Sequence, residues 1–384
     1  MTTVSLPVAG GTERLVLSAP AKLESVSGPS VSRTAYAAAH VVADPYRASA
    51  SDSSGDIDWD TTLQLRHNLW ERGLGVAEAM DTAQRGMGLD WPRAQELIDR
   101  TLKESQNTGG AVVVGMATDQ LPDHEASLDA VRRAYLEQLA FIEERGGTAV
   151  MMASRHLARG ARNAEDYLRT YSEVLGQASR PVVLHWLGEA FDPALAGYWG
   201  SRNIDEAMET VLELIRNNTS KIAGIKVSLL EPAYEIALRK ALPASVKLFT
   251  GDDFNYVDLI AGDAKGFSHA LLGAFGAIPA HASAALAALG RGDESAFRAI
   301  LEPTVPLSRL IFAAPTQYYK TGVVFLAYLN GQQDHFRMIG GLESGRNLLH
   351  LADLLRAGNN IGLFDDPELT AARAASYFAA QGIR

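Results

Sequence analysis

Residues 181–185 read PVVLH, residues 222–229 read IAGIKVSL and residues 246–250 read VKLFT. Each is a short apolar run of the kind a fully buried strand shows. Between the first two lies Ile204–Asn217, and between the second and third Pro232–Leu242, both with apolar residues at helical spacing. Buried strands alternating with amphipathic helices imply a parallel sheet covered by helices.

The alternation continues outward. Upstream, the pattern predicts helices at Thr61–Arg72, Pro92–Ser105, Leu128–Arg145 and Ala164–Gln177. It predicts strands at Gly75–Ala77, Ala111–Gly115 and Thr148–Met152. Asp58 or Asp60 reads as the N-cap of the first helix. Downstream come a short helix, Asp258–Ala264, and a last strand, Gly266–Ala270. The run Leu15-Val16-Leu17, closed by Ser18 and Pro20, supplies the first strand. Eight strands with helices between them predict an α/β fold, a (β/α)8 TIM barrel. A doubly wound sheet competes, but no G-x-G-x-x-G follows a strand.

Beyond residue 280 only helices are expected, at about 281–299, 303–314, 316–329, 342–356 and 367–380. The chain thus divides into residues 1–280, a barrel with an N-terminal extension and a long loop at 22–56, and residues 281–384, a C-terminal helical extension packed on the barrel or on another subunit. Residues 44–56 are rich in Ser and Asp and read as a surface loop.

Composition narrows the function. The 384 residues are 47% hydrophobic and 21% charged, which excludes a disordered, collagen-like or coiled-coil chain. Lys plus Arg is 35 against 45 Asp plus Glu, a net charge of −10, with no basic run, so nucleic acid is not an expected partner. There is no cysteine, which excludes disulfides, thiolate zinc sites, iron–sulfur clusters and a Cys nucleophile. No apolar stretch approaches the ~18 residues of a membrane span, and the N-terminus has no signal-like pattern. A cytoplasmic enzyme of small molecules is the expectation.

Active sites of such barrels lie at the C-terminal ends of the strands. Lys226 is the most informative candidate there, because a lysine inside an apolar strand is rare unless paired or functional. Alternation sets Gly224, Lys226 and Ser228 on one face and Ile225 and Val227 on the other. Burial lowers a lysine's pKa, and the neutral amine can attack a carbonyl. The alternative is a lysine paired for packing with Asp252 or Glu78. His185 ends its strand at the same rim and is a candidate proton shuttle; the alternative is a core histidine. Ser18, Glu78, Asp81, Thr82, Asp252 and Ser268 are candidates for holding substrate. Of Asp252 and Asp253, which point apart, one is expected to cap the following helix. His156, His269 and His281 read as structural or surface residues. Tyr318-Tyr319 beside Lys320 reads as helix packing, with closure of the barrel mouth as the alternative.

Several motifs, in order, carry a resemblance. They are Leu17-Ser18-Ala19-Pro20, Pro181-Val182-Val183-Leu184-His185-Trp186, Gly224-Ile225-Lys226-Val227-Ser228, Thr250-Gly251-Asp252-Asp253 and Lys265-Gly266-Phe267-Ser268. The series resembles the dihydrodipicolinate synthase and N-acetylneuraminate lyase superfamily of class I aldolases. The resemblance implies a barrel with C-terminal helices, assembled as a homo-oligomer, a dimer or tetramer. It implies a lyase or hydro-lyase using a Schiff base on Lys226 and no cofactor. Two departures stand out. His185 replaces that family's tyrosine, and Ala77–Ala83 replaces its carboxylate-binding loop. Because Glu78 and Asp81 repel a carboxylate, a keto sugar or aldehyde is expected rather than pyruvate. Two rival readings are a metal-dependent sugar isomerase or lyase using Glu78, His156, His185 and Asp252 around Mn2+ or Zn2+, with Lys226 as an electrostatic helper, and a non-catalytic sugar-binding or regulatory protein.

Overall fold

The computed structural model describes residues 2–383 apart from 25, 27, 51–55 and 126. Eight parallel strands close into a barrel: β3 (Ala35–Ala38), β4 (Gly75–Glu78), β5 (Val112–Met116), β6 (Ala149–Met151), β7 (Val182–Leu187), β8 (Ile222–Ser228), β9 (Lys247–Thr250) and β10 (His269–Leu272). Their order around the barrel is that of the chain, and β10 closes on β3. Helices α1 (Trp59–Glu71), α2 (Trp91–Thr108), α3 (Leu128–Glu144), α4 (Arg155–Gly160), α5 (Ala164–Gln177), α6 (Ile204–Asn217), α7 (Pro232–Ala241) and α8 (Tyr256–Ala261) connect the strands. Asp58 is the N-cap of α1, accepting from Thr61 N.

The expected first strand is corrected. Leu15 and Val16 belong to β2 (Gly11–Val16), which pairs antiparallel with β1 (Thr3–Val8) in a hairpin outside the barrel. The first barrel strand is Ala35-Tyr36-Ala37-Ala38, inside the segment read as loop 22–56. Three of its four residues are alanine, which favours strands weakly, so propensity hid it. What selects it is space on both faces: Ala38 packs inside the barrel with Ala77, Val113, Val150, Val183, Phe249 and Leu271, and Ala35 and Ala37 pack outside it in the cluster shared with the C-terminal helices. Residues 51–55 of the expected Ser/Asp-rich loop lie outside the described residues.

The C-terminal helices are α9 (Ala274–Ala277), α10 (Pro279–Gly290), α11 (Glu294–Leu301), α12 (Val305–Ile311), α13 (Tyr319–Leu329), α14 (Leu348–Asn360) and α15 (Pro367–Ala380). Their apolar faces share one buried cluster with the hairpin and with β3, β4 and β10, including Leu6, Ala37, Val76, Leu272, Val323, Leu354 and Phe378. The extension therefore completes the wall of the barrel on this side. A second cluster, between β5–β9 and α2–α7, holds Ile225 and Val227. No helix among the described residues is long and apolar enough to cross a membrane.

Candidate active site

The site is built from β8 outward. Ile225 and Val227 pack against the helices. Strand alternation then turns Lys226 and Ser228 into the barrel, where both line a cavity at the C-terminal end of the strands. Lys226 is 9% exposed. Among the described residues it has no hydrogen bond and no carboxylate within 4.0 Å. Burial holds its pKa below the usual lysine value, against the opposing charges of Asp253 and Asp81.

Gly251, on the neighbouring strand's end, makes room for this lysine. A Cβ there would lie 2.2 Å from Ser228 Oγ and 2.6 Å from Lys226 Cε. Alternation from Gly251 decides the Asp pair. Asp253 lines the cavity with Lys226. One of its oxygens accepts from Ala274 N at 2.8 Å, and burial pushes its pKa up to about 7 while the Lys226 charge opposes the rise. Asp252 faces the other way. It accepts from Phe254 N at 2.9 Å, Asn255 N at 3.0 Å and Asn255 Nδ2 at 2.9 Å, and so holds the turn.

Asp81 and Thr82 reach the cavity from the turn after β4. That turn begins at Ala79, whose φ of 51° lies in the left-handed region that non-glycine residues seldom adopt. Glu78 pins it, accepting from Ala79 N at 2.8 Å. Glu78 itself points outward and does not line the cavity. It is fully buried in a bidentate pair with Arg66, both contacts 2.8 Å, and accepts from Thr101 Oγ1 at 2.7 Å.

The cavity is closed from the C-terminal extension. The Tyr319 hydroxyl shares a 2.7 Å hydrogen bond with Thr82 Oγ1. Its ring stacks on Phe312 at 4.4 Å, and Phe191 meets Phe312 edge-on at 6.2 Å. The space enclosed is about 20 Å³, room for roughly one water. Tyr319, for which the sequence offers helix packing with closure of the barrel mouth as the alternative, does close the mouth, walling the cavity with a hydroxyl.

His185 lies beside Lys226 in the register of β7 and β8. It is fully buried; Nε2 is 3.2 Å from Ser228 Oγ, and Nδ1 has no hydrogen-bond partner among the described residues. Burial first, and the Lys226 charge second, hold its pKa well below 6.5. The imidazole is therefore neutral, and Ser228 stands between it and the cavity. Two further candidates lie elsewhere. Ser18 follows the hairpin, is exposed, and donates its backbone N–H to Asn359. Ser268 precedes β10 rather than lying within it, because that strand starts three residues later than expected. Its hydroxyl donates to Glu235 at 2.7 Å. Among the described residues no three His, Cys, Asp or Glu side chains are grouped so as to hold a metal ion; Glu78, His156, His185 and Asp252 are not brought together.

A second, larger cavity of about 170 Å³ opens beside the first and shares Asp81 and Leu187 with it. On its wall Thr118 Oγ1 bonds Ser154 Oγ at 2.7 Å and His156 Nδ1 at 2.9 Å. Arg85 pairs there with Asp119, and Arg155 with Asp192.

The sequence matches the model of a family described as "Protein of unknown function (DUF993)" over residues 4–383. No curated protein matches it. Among solved structures, dihydrodipicolinate synthase from Aquifex aeolicus is 14% identical, with a TM-score of 0.66, covering 86% of this chain and 98% of its own. The chloride-inhibited enzyme from Acinetobacter baumannii, complexed with pyruvate, is 15% identical, with a TM-score of 0.64 and coverage of 87% and 100%. The 4-hydroxy-tetrahydrodipicolinate synthase from Methylacidiphilum fumariolicum SolV is 16% identical, with a TM-score of 0.63 and coverage of 86% and 95%. The likeness is one of fold.

Proposed function

The chain belongs to the DUF993 family, and we propose that this member is a class I aldolase-like lyase or hydro-lyase acting on a small aldehyde or keto sugar through an imine on Lys226. One observation carries the reading. Lys226 is a buried lysine at the C-terminal end of a barrel strand, and among the described residues no hydrogen bond or ion pair occupies its amine. A buried, unpaired ammonium costs free energy that packing alone gives no reason to spend. The same position makes the neutral, nucleophilic amine accessible. The fold shared with dihydrodipicolinate synthases, one of them complexed with the keto acid pyruvate, supports a carbonyl substrate.

The chemistry follows from these groups. The Lys226 amine attacks the carbonyl carbon, and the former carbonyl oxygen takes a proton. Loss of water from that carbon leaves a protonated imine. The imine withdraws electrons, so a bond one carbon further out breaks or forms. Asp253, with its pKa raised to about 7, exists in both forms near neutrality. It can give the proton that water loss needs and take it back on hydrolysis. The Thr82–Tyr319 hydroxyl pair lies on the same cavity and holds the substrate oxygen. His185, neutral and behind Ser228, orients that hydroxyl; this revises the expectation that the imidazole moves the proton itself.

Borohydride trapping followed by intact-mass measurement tests the proposal, with aldehydes, keto sugars and keto acids as probes and Lys226→Ala beside the wild type. The expected result is a wild-type adduct, absent from the variant, whose added mass identifies the carbonyl partner. An adduct that persists in Lys226→Ala, or none with any of the three classes, overturns the reading.

A further inference from the structure

The space enclosed around the Lys226 amine is about 20 Å³, room for roughly one water. Even a short aldehyde is larger, so a carbonyl compound reaches the amine only if part of the wall gives way. Most of that wall is tied down. Leu187 and Ser228 belong to barrel strands. Asp81 and Thr82 stand on the turn after β4, whose Ala79 is held at its N–H by Glu78 and at its carbonyl by Arg85, at 3.2 Å. Phe312 and Tyr319 are 1% and 5% exposed, within the buried cluster of the C-terminal helices. Moving Tyr319 would break its bond to Thr82 and unstack the ring pair.

Phe191 differs from all of these. It lines the same cavity from the connection after β7. There Glu189 and Ala190 are exposed and Phe191 itself is half-buried. The connection is anchored at two points: Gly188 N donates to the Ser228 carbonyl at 3.0 Å, and Leu195 is buried. Between these anchors two contacts hold the turn inward. The Phe191 ring meets Phe312 edge-on at 6.2 Å, and Asp192 pairs with Arg155, whose side chain is 52% exposed. An edge-on aromatic pair and a solvent-exposed ion pair are each weak. The turn's own backbone bonds, from Phe191 N and Asp192 N to the Gly188 carbonyl, are internal to it and can move with it.

The turn also runs along the boundary between two spaces. Phe191 lines the inner cavity, and its neighbour Asp192 lines the outer one of about 170 Å³. Leu187, where the turn begins, lines both.

We propose that Phe191 is a displaceable plug that determines which carbonyl compounds reach Lys226. The Gly188–Asp192 turn swings outward, with the Arg155–Asp192 pair as its latch, and joins the two cavities. The substrate then lies across both, its carbonyl at Lys226 and its remainder in the larger space. The inference rests on the imine reading for what the opened site takes, but the plug is testable without any carbonyl compound.

Amine reagents of two sizes read the plug directly. Cyanate is small and trinitrobenzenesulfonate is bulky; peptide mass spectrometry follows each at Lys226, normalised to the exposed Lys103 and Lys265. A reagent reaches the amine in proportion to the open fraction of the protein. In wild type the bulky reagent is expected to be the slower at Lys226. Phe191→Ala speeds it by about 10-fold or more relative to cyanate, the upper worth of the aromatic contact removed. Phe191→Tyr, which keeps the ring, retains the wild-type ratio. Arg155→Gln releases the latch and speeds both reagents by about 2- to 5-fold, the scale of a surface ion pair. These rates stay flat in dilute urea, because a local opening exposes little surface. Equal normalised rates for the two reagents in wild type, no gain in Phe191→Ala, or a steep urea dependence overturns the plug. Borohydride trapping with hexanal then separates the two proposals. Half-labelling of Phe191→Ala is expected at about 10-fold lower concentration than of wild type. No adduct with any carbonyl, while Phe191→Ala still speeds the bulky reagent, overturns the imine reading and upholds the plug. Adducts at equal concentrations in both proteins, with amine labelling also unchanged, overturn the plug and uphold the imine reading.

Discussion

Two buried cations in this barrel, Arg66 and Lys226, meet opposite treatment. Arg66 donates to both oxygens of Glu78 and to the carbonyls of Thr62 and His40. Its partner Glu78 is satisfied in turn by Thr101 and by the Ala79 backbone. Lys226 has no hydrogen-bond or ion-pair partner among the described residues, and the carboxylates that act on it, Asp253 and Asp81, line a cavity with it. A buried charge whose every bond is made holds a structure together. One left short of partners is available for chemistry. By this contrast Glu78, a candidate for substrate binding in sequence, belongs to the architecture that presents Asp81 and Thr82.

Four experiments press on the contrast. The largest expected effect is that of Lys226→Met. Adduct formation is lost altogether, while stability to urea is unchanged or gains about 1–4 kcal/mol, because an unpaired buried charge is replaced by an apolar chain. A large loss of stability would instead mean that the lysine is structural. Arg66→Met has the reverse signature. It leaves Glu78 buried without its counter-charge and is expected to cost about 3–5 kcal/mol in urea unfolding, with the labelling rate per folded molecule retained. If that variant folds as well as wild type, the contrast collapses.

Gly251→Ala sharpens the comparison on the chemical side. Its Cβ would overlap Ser228 Oγ and Lys226 Cε, so the amine is displaced. Borohydride labelling is expected to slow up to about 100-fold, the scale of an ångström's misplacement, with little change in the far-UV circular dichroism.

The smallest effect concerns Glu235, which sits between the two cases. One of its oxygens accepts from Ser268, and the other is buried with no hydrogen-bond partner among the described residues. Burial raises its pKa to about 8. The folded state then holds a proton that the unfolded state releases near pH 4.5, so stability falls as pH rises from about 4.5 to 8. Glu235→Gln removes this slope. The Tm of the variant is expected to match wild type below that window and to exceed it increasingly as pH rises through it, because only the wild type has a proton to lose there. Parallel Tm curves across the window would show that Glu235 ionises as an ordinary surface carboxylate.

What was legible in the sequence follows the range of the forces involved. Seven barrel strands were visible because each is a local apolar run, although β10 was read about three residues early. That small slip moved Ser268 from before the strand into its middle. The first strand is not legible because its alanines are set by what packs on them in three dimensions, Ala38 by the barrel interior and Ala35 and Ala37 by the cluster of the C-terminal helices, which no local window contains. Lys226 stood out as a charge inside an apolar run. Asp253 was within reach of the same alternation that oriented Lys226, counted from Gly251. Tyr319 and Lys320 were beyond it: they lie some 90 residues after Lys226 in sequence, and only packing of the extension brings them to the barrel mouth.

By itself, then, the sequence determined the strand and helix periodicity, the inward face of β8 and the amine it carries. Periodicity and burial are local properties, readable from neighbours along the chain. The tertiary structure alone decided which charges are paired, which face the cavity, and that the C-terminal helices supply its wall. Those outcomes depend on which side chains meet across the barrel, and a buried charge becomes structural or reactive only once its partners are known.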